Sequence, residues 1–315
     1  MKVSVCMITY NHEQYIAEAI EGIILQQSEF DYELVISDDA STDNTAEIIK
    51  KYKNLYPDLI RLILHEKNIG MMPNFIYTLN ACEGKYIAVC EGDDYWIDPM
   101  KLQKQVDFLE KNQNYVICFS RVYELVGNEM ELYPYNPWDE EKTFDIYDLA
   151  VSNFIAAPSV MFVNGIIEQL PLWFDKSPVG DYVLHMLNAK KGLIKYLPEP
   201  MAVYRKFTGT WSSKPVTNQM DKFISVINYL LTEDFPIDVK KILVNQKQSL
   251  LSIYCKILID KNDFSFLDKL STELSEESDF AKELILSIYP DKIRNILNSK
   301  TYKLFSKLSS FIARY

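Results

Sequence analysis

From Val3 to Val126 this chain alternates short apolar runs with longer segments of helical period, and that alternation leaves few folds open. Val3–Thr9 predicts a strand, and Glu13–Gln26 a helix carrying Ile16, Ala19, Ile20, Ile23 and Ile24 on one face. Tyr32–Ser37 predicts a second strand. Asp43-Asn44-Thr45 offers N-cap chemistry for a helix over Ala46–Tyr56, which Pro57 closes. Ile60–Leu64 reads as a strand, Asn74–Cys82 as a helix ending at Gly84, and Tyr86–Cys90 as the fourth strand, before a helix over Lys101–Asn112 and a strand over Tyr115–Val126. Strands separated by single helices imply right-handed βαβ crossovers. The expected class is α/β, a Rossmann-like, mainly parallel sheet with its ligands at the carboxyl ends of the strands.

Beyond Val126 the pattern loosens. Residues 127–156 read as an acidic, aromatic-rich loop, followed by a strand over Ala157–Val163, a helix around Tyr182–Ala189 and short strands at Ile194–Leu197 and Ala202–Tyr204. After Pro215 the composition turns to Leu, Ile and Lys with helical periodicity, which divides the chain into an α/β domain over 1–215 and a helical C-terminal region over 216–315. Acidic residues outnumber basic ones 44 to 33, for a net charge of −11, and this argues against a nucleic-acid partner. The five cysteines show no CxxC or Cys/His pairing, so a zinc site or disulfide framework is not expected and a reducing compartment is. The apolar start at Val3 is too short for a signal segment, and no run approaches a membrane span; the expectation is a soluble, cytoplasmic protein.

The residues just past the predicted strand ends carry the chemistry. The apolar run Tyr86–Cys90 discharges into Glu91, Asp93 and Asp94, three carboxylates within four residues. Such a cluster is stable only with donors or a cation nearby, and all-oxygen ligands suit Mg²⁺ or Mn²⁺. Tyr10-Asn11 follows the first strand and Asp38-Asp39 the second; no GxGxxG and no GKS/T loop is present, which disfavours a dinucleotide fold and a P-loop. The set suits a nucleoside diphosphate: a ring to pack the base, an acid for base N–H or ribose hydroxyls, and a cation on the diphosphate. Taken singly, Tyr10 reads equally well as core packing, Asp38 or Asp39 as turn residues, and the Glu91–Asp94 cluster as a solvated acidic turn.

Taken together, Val3-Ser4-Val5 through Tyr10-Asn11, Asp38-Asp39-Ala40-Ser41-Thr42-Asp43-Asn44-Thr45, Asn68-Ile69-Gly70 and Glu91-Gly92-Asp93-Asp94-Tyr95-Trp96 resemble family 2 glycosyltransferases of the GT-A fold. The likeness continues at Gly180-Asp181-Tyr182 and Met201-Ala202-Val203-Tyr204-Arg205 and so covers 1–215. It implies inverting transfer of a sugar from a nucleotide diphosphate sugar, usually a UDP sugar, to an acceptor hydroxyl on a glycan or lipid-linked glycan. Under that resemblance Thr9, Tyr10 and Asp39 hold the nucleoside. Glu91-Gly92-Asp93 stands where the family has its DxD motif, with Glu in the first position; Asp93 or Asp94 ligates Mn²⁺ or Mg²⁺, and Asp181 is the general base. Two positions depart from the family pattern: Gly180 where an acid often precedes the base, and Phe207 where a histidine ligand often stands. His185, one helical turn after Asp181, reads as a group orienting the base or as a surface residue.

Two other functions compete. A nucleotidyltransferase would want a Gly-rich, cationic loop after the first strand, and Thr9–Glu13 has neither Gly nor cation. A non-catalytic nucleotide-sugar-binding module would have no need of Asp39, Asp93 and Asp181 together. At the far end, six Lys/Arg and no acid follow Asp291, and Leu304, Phe305, Leu308, Phe311, Ile312 and Tyr315 recur at helical steps. Residues 300–315 therefore read as a basic amphipathic helix, either touching the inner membrane face or docking on the body or on a second subunit of a homo-oligomer.

Overall fold

A computed structural model of the chain describes residues 1–208 and 213–260. The first elements are β1 (Val3–Thr9), α1 (Ile16–Ile24), β2 (Tyr32–Asp38), α2 (Thr45–Leu55), β3 (Ile60–Leu64), α3 (Met71–Ala81) and β4 (Tyr86–Val89). There follow β5 (Tyr95–Trp96), α4 (Lys101–Lys111), β6 (Tyr115–Val126), β7 (Glu129–Leu132), β8 (Lys142–Phe144) and α5 (Ile146–Val151). The series continues with β9 (Val160–Val163), α6 (Asp181–Ala189), β10 (Leu193–Arg205), α7 (Val216–Thr232) and α8 (Ile237–Asp260). The alternation read from the sequence is thus real through β6, with one short strand, β5, that two residues were too few to announce.

The ten strands among the described residues join one mixed sheet, with the order β3-β2-β1-β4-β9-β6-β10-β5 and with β7 on β6 and β8 on β10. The half made of β3, β2, β1 and β4 is parallel, in register from Val3 opposite Tyr32 to Thr9 opposite Asp38. β9 runs antiparallel to both β4 and β6 and so turns the sheet into a mixed one, whereas β10 lies parallel to β6. Every residue of β1 is buried, as expected of a central parallel strand covered on both faces. Ile16, Ala19, Ile20 and Ile23 of α1 are fully buried on the core, each isoleucine contributing roughly 1.5–3 kcal/mol of hydrophobic stabilisation. Leu34, Ile36, Ile49, Ala88, Met161 and Ala202 extend the same core across the sheet.

Three features differ from the sequence reading. Residues 127–156 are not a plain loop: β7 pairs with β6, β8 pairs with β10, and Asp145 caps α5 in a reciprocal box with Asp148. β7 and β8 are edge strands with exposed side chains, so no apolar alternation marks them. The two short strands expected around 194 and 203 are one strand, β10, with register shifts at Pro200 where the proline cannot donate to the ladder. Helix α1 starts later than expected because residues 11–13 are engaged by the 41–45 segment, described below.

The chain divides into two compact units, Met1–Leu243 and Val244–Tyr315, so the first unit runs past the composition change at Pro215 and includes α7. Within it α7 stacks Phe223 on Tyr182 at 5.1 Å and Tyr229 on Trp173 at 4.9 Å. In the second unit the last turns of α8 are helical, in keeping with the helical C-terminal region; the basic segment 300–315 lies outside the described residues. No helix among the described residues is long and apolar enough to cross a membrane. Cys6, Cys82, Cys90 and Cys118 are buried free thiols.

Candidate active site

Because β1, β2 and β4 are parallel, their carboxyl ends open on one rim, and the chain exits them in three turns that interlock. Asn11 adopts a left-handed conformation (φ 56°), as does Ala40 (φ 56°), conformations that cost energy in non-glycine residues and persist only where the surroundings fix them. The fixing contacts are reciprocal. The Asn11 N–H donates to Ser41 Oγ (2.9 Å) while Asn11 Oδ1 accepts from the Thr42 N–H (2.8 Å). The His12 N–H donates to Thr45 Oγ1, the Glu13 N–H to Asp43 Oδ2, and Glu13 Oε2 accepts from the Asn44 N–H and side-chain amide. This accounts for the polar run from Ser41 to Thr45: it splints the turn after β1.

Asp38 and Asp39 divide their work. Asp38 faces its own turn, accepting from the Ser41 N–H at 3.0 Å and Ser41 Oγ at 2.5 Å. Asp39, also buried, accepts from the backbone N–H groups of Ile69 (2.7 Å) and Gly70 (2.9 Å), which explains why Asn68-Ile69-Gly70 accompanies it. Thr9 is buried with its Oγ1 3.1 Å from His12 Nδ1, whereas the Tyr10 ring is 38% exposed at the rim. Thr9, Tyr10 and Asp39 therefore gather at the β1–β2 end.

The acidic turn after β4 is held from below by Arg205, the last residue of β10. Its N–H donates to Asp94 Oδ1 (2.8 Å), its Nη1 to the Asp93 carbonyl (2.7 Å) and its Nη2 to Glu18. The guanidinium lies over the rings of Tyr95 (4.4 Å) and Tyr15 (5.1 Å). Thr208 Oγ1 donates to Asp93 Oδ2 at 3.0 Å. Gly92 is demanded by space: a Cβ there would lie 2.6 Å from Thr9 Oγ1 and 2.8 Å from Thr9 Cβ, so the ends of β1 and β4 could not approach. Asp94 is 1% exposed and occupied by Arg205; it does not line the cavity that Glu91 and Asp93 face.

That cavity, about 210 Å³, is lined by Glu91, Asp93, Arg205, Asp181, Tyr133, Tyr204 and Asn153 among others. Asp181 sits in the first turn of α6, where the helix N-terminus favours its charge. Burial nevertheless pushes its carboxyl above the usual range, against hydrogen bonds from backbone N–H groups and Asn153. Burial, then the charges of Asp93 and Asp181, push Glu91 up to about 8; burial, Asp93 and Glu91 likewise raise Asp94. Gly180 is again a matter of room, since a Cβ would meet Met72 Sδ and Phe75 Cδ1 at 3.0 Å. A larger residue before Asp181 would require the Met72 and Phe75 side chains of α3 to shift by a few tenths of an ångström, which favours the Gly-Asp form.

His185 is neither at the surface nor a partner of Asp181. It is 1% exposed, its Nδ1 has no partner among the described residues, and burial lowers it to about 3. Helix α6 is buried on nearly every side, and a polar residue on it is not thereby exposed. The sequence reading also missed Lys214 and Lys222, which line the cavity from the start of α7; nothing local to them marks them, because only the fold brings α7 to α6.

A divalent cation fits this donor set in kind: the carboxylates are oxygen-only, crowded and desolvated, the setting a hard cation relieves. Among the described residues no group of three or more Asp, Glu, His or Cys side chains is arranged to hold an ion alone.

Comparison with known proteins agrees with this geometry. The chain is 42% identical to an uncharacterized protein of Mycobacterium tuberculosis over 219 residues, 67% of this chain and 61% of that one. It thus spans under two thirds of that relative's length. Among solved structures it is similar to Staphylococcus aureus TarS 1-349 in complex with UDP-GlcNAc (TM-score 0.57, 18% identity, 93% of this chain and 81% of that one). It is also similar to the mannosyltransferase PcManGT from Pyrobaculum calidifontis in complex with GDP-Man and Mn²⁺ (TM-score 0.56, 14% identity, 99% and 85%). These two show a shared fold. The family model described as glycosyl transferase family 2 matches residues 4–163, which include β1 to β4, the interlocked turns and the acidic turn, and the chain belongs to that family.

Proposed function

We propose that the protein is an inverting glycosyltransferase that moves a sugar from a nucleotide diphosphate sugar, a UDP sugar in our reading, to a hydroxyl of a glycan or lipid-linked glycan at the cytoplasmic face. The observation that carries this is the placement of Asp181, Glu91 and Asp93 on one cavity beside the rim formed by Thr9, Tyr10 and Asp39. TarS in complex with UDP-GlcNAc supports a uridine donor, and TuaG of Bacillus subtilis, described as a "Putative teichuronic acid biosynthesis glycosyltransferase" and 26% identical over 200 residues, supports a polysaccharide setting.

In this reading Tyr10 packs the base at the exposed rim, and Thr9 and Asp39 supply hydrogen bonds to the nucleoside. Asp93, with Glu91 beside it, would hold Mn²⁺ or Mg²⁺ against the diphosphate; Asp94, committed to Arg205, fixes the turn. When bound, the cation supplies charge neutralisation to the leaving diphosphate. Asp181 takes the proton of the acceptor hydroxyl; the acceptor oxygen bonds to the anomeric carbon as the bond from that carbon to the phosphate oxygen breaks on the opposite face. A base whose pKa is raised by burial is a better proton acceptor, provided it is ionised at the working pH. The α/β domain, 1–215 by sequence, then works together with α7, whose Lys222 and Phe223 also line the cavity.

Asp181→Asn tests the assignment. It should lower turnover about 10²–10⁴-fold with UDP affinity nearly unchanged, read by single-turnover kinetics and by titration of UDP. A variant that keeps more than about a tenth of wild-type turnover would remove Asp181 from the role of base.

A further inference from the structure

The proposed reaction gives work to the carboxylates of the cavity and to Arg205, and none to its two lysines. Lys214 precedes α7 and Lys222 lies within it, and both line the cavity shared with Asp181. No carboxylate among the described residues forms an ion pair with either. Both instead line the same cavity, and the neighbouring Lys214, followed by burial, holds Lys222 below the ordinary lysine range. Two ammonium groups gain nothing from each other's company unless an anion stands between them.

Their position in the cavity says whose anion it is. Phe223, the residue after Lys222, stacks on Tyr182, the residue after Asp181, with centroids 5.1 Å apart and planes 20° from parallel. The pair is thereby anchored beside the proposed base, whereas Thr9, Tyr10 and Asp39 do not line this cavity at all. A donor diphosphate lying between that rim and Asp93 is served by the acidic turn and its cation. An acceptor bearing negative charge that reaches Asp181, by contrast, enters a cavity that already holds the carboxylates of Asp93 and Asp181, and cations on the same cavity offset them.

We propose that Lys214 and Lys222 form an anion-binding subsite for a phosphate or carboxylate group carried by the acceptor near its reacting hydroxyl. The inference rests on the glycosyltransferase reading for the word acceptor; the subsite itself is a property of the cavity.

The test is calorimetric titration of glucose 6-phosphate, with glucose as the uncharged control, into the full chain saturated with UDP and Mg²⁺. The expected result is that the phosphate ester binds at least tenfold more tightly than glucose. The doubly substituted Lys214→Gln/Lys222→Gln protein should lose at least tenfold of that affinity and bind UDP within twofold of wild type. Lys214→Arg/Lys222→Arg should retain phosphate-ester binding, which separates loss of charge from loss of fold; melting curves of all three proteins check the latter. Binding that disappears once UDP is bound would assign the lysines to the donor diphosphate and overturn the proposal, as would a Gln variant that binds like wild type. If UDP itself fails to bind, the nucleotide-sugar reading falls, and the same titration without UDP still decides the lysines.

Discussion

Single residues here are chosen by space as often as by chemistry. Gly92 stands between two acids, yet its absent Cβ is what lets the end of β4 reach Thr9 and His12. Gly92→Ala should cost about 1–3 kcal/mol by overpacking and weaken UDP binding, because Thr9 must move to admit the methyl. Urea denaturation and UDP titration check the two effects; a variant with wild-type values of both would mean that the turn yields freely. His185 gives a prediction in pH. Its folded pKa of about 3 lies below the ordinary 6.5, so the unfolded chain binds a proton over that interval while the folded chain does not. Stability contributed by this residue is therefore full above pH 6.5 and is lost as the pH falls toward 3, by at most about 1.4 kcal/mol per pH unit. His185→Leu removes a ring whose Nδ1 lacks a partner, and the difference between variant and wild-type stability should grow in the variant's favour between pH 6.5 and 4.5. A constant difference across that interval would show that the folded ring takes up its proton as readily as the unfolded one.

At the scale of elements, what was legible in the sequence is what local pattern dictates. β1 to β4 and the helices between them announce themselves because each buried strand or helix face must be apolar at its own period. β7 and β8 expose their side chains, and the continuity of β10 through Pro200 is decided by its neighbours β6 and β5. The acids at the strand ends were legible because topology places all such ends on one rim; which of Asp93 and Asp94 faces the cavity was not, since that depends on Arg205, 111 positions further along the chain from Asp94. Arg205 is accordingly a positioning residue, joining α1, the acidic turn and β10 through Glu18, Asp93 and Asp94. Arg205→Lys keeps the charge but cannot make the fork or place a planar group over Tyr15 and Tyr95. We expect Mg²⁺-dependent UDP affinity to fall about tenfold or more, the equivalent of 1.4 kcal/mol, with far-UV circular dichroism unchanged. Equal affinity in the Lys variant would reduce Arg205 to a counter-charge for Glu18.

For the molecule as a whole, the proposed site draws on two groups of residues. The rim of Thr9, Tyr10 and Asp39 belongs to the β1–β2 side, and the cavity of Glu91, Asp93 and Asp181 to the β4–α6 side; no single element reaches both. If a nucleoside diphosphate spans them, its base half should bind without metal and its diphosphate half only with it. UDP should then raise the melting temperature in the presence of Mn²⁺ or Mg²⁺ by more than in chelator, since stabilisation follows affinity by mass action, about 2.7 kcal/mol at a hundredfold excess over Kd. Uridine, which lacks the diphosphate, should give the same small shift under both conditions. Asp93→Ala should erase the difference that metal makes for UDP and leave the uridine shift alone, because its carboxylate lies on the cavity and not on the rim. Asp39→Asn should do the reverse, weakening uridine and UDP alike with or without metal. Should Asp93→Ala lower the uridine shift as well, the acidic turn would be holding the nucleoside itself, and the division of the site into a metal-dependent and a metal-independent half would have to be abandoned.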